Sequence, residues 1–134
     1  VTRALLAWGP PVAWAGVLFL LSEWSSVPRS TWAALNDKVV HLALYAVLGA
    51  SLAWGKRVGS EDPPHWALLL LGAGYGAVDE WHQNFVPRRH PSVADWFADV
   101  VGLLVGYLLV LGLWSLWRRS TSDLRSAPRG DAGR

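Results

Sequence analysis

The chain contains no cysteine, so disulfides and thiolate metal sites are excluded outright. Methionine is absent as well, which leaves Val1 in first place, as a non-standard start codon would. Charge is scarce: Asp, Glu, Lys and Arg make up 16% of the residues, against about 25% in an average soluble domain. Together with a hydrophobic content of 52%, that shortage points away from a water-soluble globule. No repeat of fixed period is visible, and 134 residues leave room for one domain.

What the chain has in excess is tryptophan, ten in all. Trp24, Trp32, Trp54, Trp66, Trp81, Trp96, Trp114 and Trp117 lie near the ends of apolar runs, where interfacial aromatic belts form. A spanning helix needs about 20 mostly apolar residues, and the segments 4–22, 38–55, 66–85 and 95–117 fit. The first carries Pro10 and Pro11, which remove backbone donors and predict a kink or a delayed start of the regular helix. Arg3 ahead of an apolar run would suit a signal peptide, but the run continues through Val17 to Leu21, past any small-residue site at Ala13 to Ala15. It is read as a retained helix.

The expected fold is all-α: a four-helix transmembrane bundle over residues 1–117, followed by a basic tail, 118–134. The tail has too little apolar content to pack and suits attraction to an anionic inner leaflet. Orientation follows from the basic residues. With the N-terminus inside, Arg3, Lys56, Arg57, Arg118, Arg119, Arg125, Arg129 and Arg134 are inner, and only Arg29, Lys38, Arg88 and Arg89 are outer. Both termini are then cytoplasmic, in a multi-pass protein of the cell membrane.

Under that orientation a polar cluster faces outward: Asp79, Glu80, His82, Gln83, Arg88, Arg89, His90, Asp95 and Asp99, between two apolar runs. Ionisable groups at membrane depth are costly and mark a function or a buried partner. On a helical wheel Gly72, Gly76, Asp79, Glu80 and Gln83 fall within about 100° of one another, and Asp95, Asp99, Gly102 and Gly106 within about 60°. Each face carries glycines four apart, a spacing that lets membrane helices approach closely, so the carboxylates on the same face turn into the bundle. The second span adds Asp37, Lys38, His41 and Tyr45, with His41 about one turn inside the boundary.

Each group has a structural alternative. Ser92 and Asp95 have the spacing of a capping box, and Asp37 suits a helix cap, with Asn36 competing. Asp79 and Glu80 have no capping role at a helix C-terminal end, where the dipole disfavours negative charge; Arg88, Arg89, Lys38 and His41 are their candidate partners. His82 projects to the side of Asp79 and ranks lower. Asp79 and His82, three residues apart, with His41 and Asp99 nearby, offer nitrogen and oxygen donors. Their spacing matches no established zinc pattern, so no metal is assigned and no cofactor expected. Ser92 lacks the glycine-flanked elbow of a nucleophilic serine.

The runs Asp37-Lys38-x-x-His41-x-x-x-Tyr45 and Asp79-Glu80-x-x-Gln83-x-Phe85-x-Pro87-x-Arg89, followed by Asp95 to Gly102 and Gly106, resemble the VanZ-like family. These are small bacterial membrane proteins named for one implicated in low-level teicoplanin resistance. The resemblance covers roughly residues 37–106. It departs at Asp99, where the family pattern has Asn, and so places an extra carboxylate in the pocket. It implies a bacterial envelope protein that influences how a lipoglycopeptide or a surface lipid is presented.

The expected binding residues are Lys38, His41, Asp79, Glu80, Gln83, Arg88, Arg89, Asp95 and Asp99. The expected partner is a membrane lipid, a lipid-linked cell-wall precursor or a lipoglycopeptide, and not nucleic acid. Arg88 and Arg89 would engage phosphate or carboxylate bidentately. An alternative is an enzyme acting on an envelope lipid or phosphate, with His41, Asp79 and Glu80 as catalytic candidates. A further alternative is an ion- or proton-coupled transport element.

Overall fold

The computed structural model describes residues 2–23, 31–87 and 89–126, with the backbone alone at 31–36 and 123–126. They form four helices, α1 (Thr2–Ser22), α2 (Thr31–Val58), α3 (His65–His82) and α4 (Val93–Ser126), with a 3-10 turn at Gln83–Phe85 and no strand among the described residues. Among the described residues, three stretches are long and apolar enough to cross a membrane: Thr2–Ser22, Asp37–Val58 and Val93–Ser122. α3 is not among them, because its 18 residues include His65, Asp79, Glu80 and His82.

Pro10 and Pro11 do not delay α1, which runs through both. Each lacks the N–H that would bond the carbonyl four residues back; α2 bonds one of those two carbonyls and packs close against the other. Trp54 Nε1 donates to Leu6 O at 3.3 Å, and Gly55 lies so near Ala7 O that an added Cβ would stand 2.7 Å from it. Trp14 Nε1 also ties the pair, donating to Leu44 O at 2.9 Å. The ties run from Arg3 with Val58 to Trp14 with Leu44, so α1 and α2 are antiparallel.

The tightest packing is between α2 and α4, and it is main chain on main chain. A Cβ at Gly102 would stand 2.1 Å from Leu42 O, one at Gly106 1.8 Å from Ala46 O, and one at Gly49 2.0 Å from Leu103 O. The register rises together on both helices, so α2 and α4 are parallel. The chain must therefore return between them, and α3 makes that return, antiparallel to α4 through Gly72 against Leu103 and Gly76 against Asp99. Its length of 18 residues is about 27 Å as α-helix. Between the helices lies a core of Leu18, Tyr45, Leu48, Leu52, Ala53, Leu68, Leu103 and Tyr107. Leu5, Val12, Leu20, Leu70, Val105 and Leu108 point outward and are exposed.

Two boundaries differ from the sequence-based expectation. α2 begins at Thr31, not at residue 38, so Asp37 is an interior helix position and caps nothing. Hydropathy marks where a helix becomes apolar, whereas helix propagation continues through any run of tolerant residues. α4 likewise continues to Ser126, into the segment expected to be a basic tail, and Arg118 and Arg119 on it are exposed. Trp24, Arg29 and residues 127–134 lie outside the described residues.

At the end opposite the acidic cluster, Lys56 pairs with Asp62 and donates to Pro63 O at 2.7 Å, closing the α2–α3 connection. Lys56 holds the exposed Asp62 carboxyl below its ordinary value, by hydrogen bond and by charge. His65 Nδ1 lies 2.8 Å from the Tyr107 hydroxyl and fixes the start of α3 to α4.

Candidate functional site

The parallel register of α2 and α4 brings their polar residues together in successive turns. At the mouth, Lys38 Nζ donates to Asp95 Oδ1 at 2.5 Å. One turn deeper His41 Nδ1 lies 2.9 Å from Asp99 Oδ1, with His41 8% and Asp99 0% exposed. The glycine contacts continue the same seam below, so the pairs are placed by the packing that holds the helices together.

α3 supplies the facing wall. Asp79, Glu80 and Gln83 are all buried there. Glu80 Oε2 accepts the backbone N–H of Ser92 at 2.7 Å, and Glu80 Oε1 lies 3.5 Å from Gln83 Nε2. Ser92 is the N-cap expected from the sequence, since its Oγ accepts the N–H of Asp95 at 3.3 Å. In a full capping box the acid at the third helical position would take the N–H of the cap residue. Here Glu80 takes it, which leaves the Asp95 carboxylate to Lys38.

Asp79 faces α1, beside the buried Ser22. Arg89 is half-buried, its Nη2 3.4 Å from Leu21 O, in the electrostatic reach of Asp79. His82 turns away from this cluster, with Nε2 2.5 Å from Glu23 Oε1, and ties α3 to the end of α1. His90 is exposed, and Arg88 lies outside the described residues.

Eight of the nine expected binding residues are thus described, and all stand at one end of the bundle: Lys38, His41, Asp79, Glu80, Gln83, Arg89, Asp95 and Asp99. The sequence reading missed Ser22 and the backbone N–H of Ser92. Only the position of Ser22 at the end of an apolar run could have drawn attention to it. Trp96, read as a belt residue, is a clamp as well, its Nε1 donating to Ala73 O at 3.0 Å. Three buried polar atoms at this end have no hydrogen-bond partner among the described residues, the Ser22 and Tyr45 hydroxyls and Asp99 Oδ2. His41, Glu80 and Asp99 each bring a donor atom within 4.8 Å of the others, and so do Asp37, His41 and Asp95.

Lower in the bundle, an apolar groove of about 240 Å³ opens between α1 and α3 over α2, lined by Pro11, Val12, Leu48, Leu52, Leu71 and Tyr75 among others and by no residue of this cluster. The Tyr75 hydroxyl donates to Ala15 O at 2.6 Å across it.

Three helices of membrane-crossing length and a cluster of ionisable side chains buried at one end define a helical protein of membrane type. The VanZ/LLP1 family model matches residues 10–117, and the chain belongs to that family. No curated protein and no solved structure matches it.

Proposed function

We propose that the chain crosses the bacterial cell membrane four times, with both termini in the cytoplasm. In this reading its polar end binds, from outside, the headgroup of an envelope amphiphile: a membrane lipid, a lipid-linked wall precursor or a lipoglycopeptide. The observation that carries it is the buried cluster of His41, Asp79, Glu80, Gln83, Asp95 and Asp99, with the half-exposed Lys38 on Asp95 at its mouth, at one end of a bundle whose outer faces are apolar.

Four crossings are supported by the parallel packing of α2 and α4. Two parallel helices that both cross a slab require a third crossing between them, and α3 has about the length of a 30 Å hydrocarbon core. Lys56, Arg57, Arg118 and Arg119 lie toward the end away from the acidic cluster, as the positive-inside rule asks. The lateral groove lower on the bundle suits an acyl or polyprenyl chain, while Lys38 and Arg89 suit phosphate or carboxylate and the carboxylates suit amines and hydroxyls.

The test is lipid retention. Protein purified in mild detergent should carry co-purified amphiphile in native mass spectrometry, and Asp79→Asn and Arg89→Gln should release it while the bundle stays folded. Full retention, or unchanged glycopeptide protection in cells expressing folded Asp79→Asn, would refute the pocket as the functional site.

One observation favours a second reading. A histidine oriented by a buried carboxylate, as His41 is by Asp99, is the arrangement of a general base. Turnover of a lipid phosphate, lost in His41→Gln, would select an enzyme over a binding protein.

A further inference from the structure

We propose that His41, Glu80 and Asp99 bind a first-row divalent cation in the interior of the bundle, where α2, α3 and α4 meet. One donor atom from each lies within 4.8 Å of the other two, and all three residues are buried. That span is close to twice a metal–ligand bond of ~2.1 Å, so small inward movements bring the three atoms onto one ion.

A second observation at the same place points to a ligand. Asp99 is 0% exposed, yet its Oδ2 has no hydrogen-bond partner among the described residues, and it faces α3 at Gly76, where an added Cβ would stand 3.4 Å from it. The Tyr45 hydroxyl, on a residue 2% exposed, is also without a partner and lies in the electrostatic reach of Asp79, Glu80 and Asp99. Buried polar atoms left unsatisfied are rare and call for an explanation. An ion between the carboxylates satisfies Asp99 Oδ2 and gives Tyr45 a ligated oxygen or water to bond.

Charge leads the same way. Among the described residues, the buried carboxylates of this end are Asp79, Glu80, Asp95 and Asp99, and Lys38 is engaged by Asp95. Arg89 lies on the Asp79 side. Among the described residues Glu80 and Asp99 therefore share His41, whose single charge, when protonated, balances only one ionised carboxylate in a medium that penalises net charge. A dication balances both with His41 neutral.

The donor set selects the ion class. One imidazole with two carboxylates favours Zn²⁺ or Mn²⁺ over Mg²⁺ or Ca²⁺, which prefer oxygen alone. The competing trio of Asp37, His41 and Asp95 is the poorer site, because Lys38 already occupies Asp95. The pair Asp79 and His82, which the sequence suggested for a metal, is divided by the bond of His82 to Glu23.

The experiment is equilibrium dialysis of tag-free protein in detergent against Zn²⁺ or Mn²⁺ alone at about tenfold excess, with bound ion counted by elemental mass spectrometry. About one ion per chain is expected for the native chain. Glu80→Gln and Asp99→Asn should weaken binding at least tenfold, and Asp37→Asn should leave it unchanged. Electron-paramagnetic resonance of the Mn²⁺ form should show nitrogen coupling that His41→Gln removes. Absence of uptake by the native chain overturns the proposal whatever the variants do. So does loss of the ion in Asp37→Asn with retention in Glu80→Gln, or nitrogen coupling that survives in His41→Gln. Lipid retention by metal-free protein would leave the headgroup reading standing, so the two ideas fail separately.

Discussion

Adding one methyl group to α4 should have opposite effects at two of its glycines. At Gly106 a Cβ would lie 1.8 Å from Ala46 O, against the 3.0 Å that real Cβ atoms almost never breach, so α2 and α4 must separate by about 1.2 Å. A gap of 0.5–1 Å already forfeits roughly a quarter to a half of each dispersion contact. Overpacking costs about 1–3 kcal/mol, and a clash against main chain, which no rotamer relieves, belongs at the upper end. Against this, Gly→Ala in a helix interior gains only about 1 kcal/mol of propensity. Gly106→Ala should therefore lose about 2 kcal/mol net. At Gly112, where a Cβ meets nothing within 4 Å, propensity acts alone, and the same change should stabilise by about 1 kcal/mol. Unfolding in detergent followed by tryptophan fluorescence separates the two by the sign of the Tm shift. A Gly106→Ala variant as stable as the parent would refute the main-chain contact between α2 and α4.

Trp54→Phe should lower Tm by the equivalent of about 1–2 kcal/mol, because it leaves Leu6 O facing a proline with no donor from α2; Trp54→Phe combined with Pro10→Ala should recover part of it. Ser92→Ala should cost about 1 kcal/mol through the lost cap of α4, read in the same melt. Asp62, held below 3.8 by Lys56, contributes stability that is present above that pH and lost as pH falls through its lower folded value. Melts of the parent and Asp62→Asn should accordingly converge in acid, and equal curves at all pH would show that the pair does nothing. The absence of cysteine allows single-cysteine mapping without background: a thiol at position 90 should react with an impermeant maleimide in intact cells, and one at position 60 only after permeabilisation. The reverse pattern would invert the proposed topology.

The glycine spacing and the carboxylates above it were readable because both repeat on one face of a helix, and helical geometry alone brings them together. Which helix each face meets was not. Gly102 and Gly106 lie against α2, while Gly72 meets the Leu103 side chain, and a wheel drawn on one helix says nothing of its neighbour. Pairings such as Lys38 with Asp95 and His41 with Asp99 join residues far apart in the chain, so they depend on register between helices. The role of Asp95 was half visible: the cap spacing is local, but the exchange in which Glu80 takes the Ser92 N–H is tertiary. Asp37 was misplaced because apolarity and helicity end at different residues.

The shared register has a consequence for the site. Gly102 lies against Leu42 O, the residue after His41, and it follows Asp99 by less than one turn. Any side chain at Gly102 must push α2 away from α4 at the level where His41 meets Asp99 at 2.9 Å. A hydrogen bond tolerates little of that movement, so Gly102→Ala should break the pair without touching either partner. Packing and polar placement are then one feature: the contact that lets two membrane helices approach is also what sets the distance between the groups above it. A variant such as Asp99→Asn, which keeps the volume of the side chain, perturbs the chemistry while sparing the seam. Only variants of that kind can assign a role to the cluster itself, and a Gly102→Ala protein that kept both the 2.9 Å pair and native stability would separate the two features again.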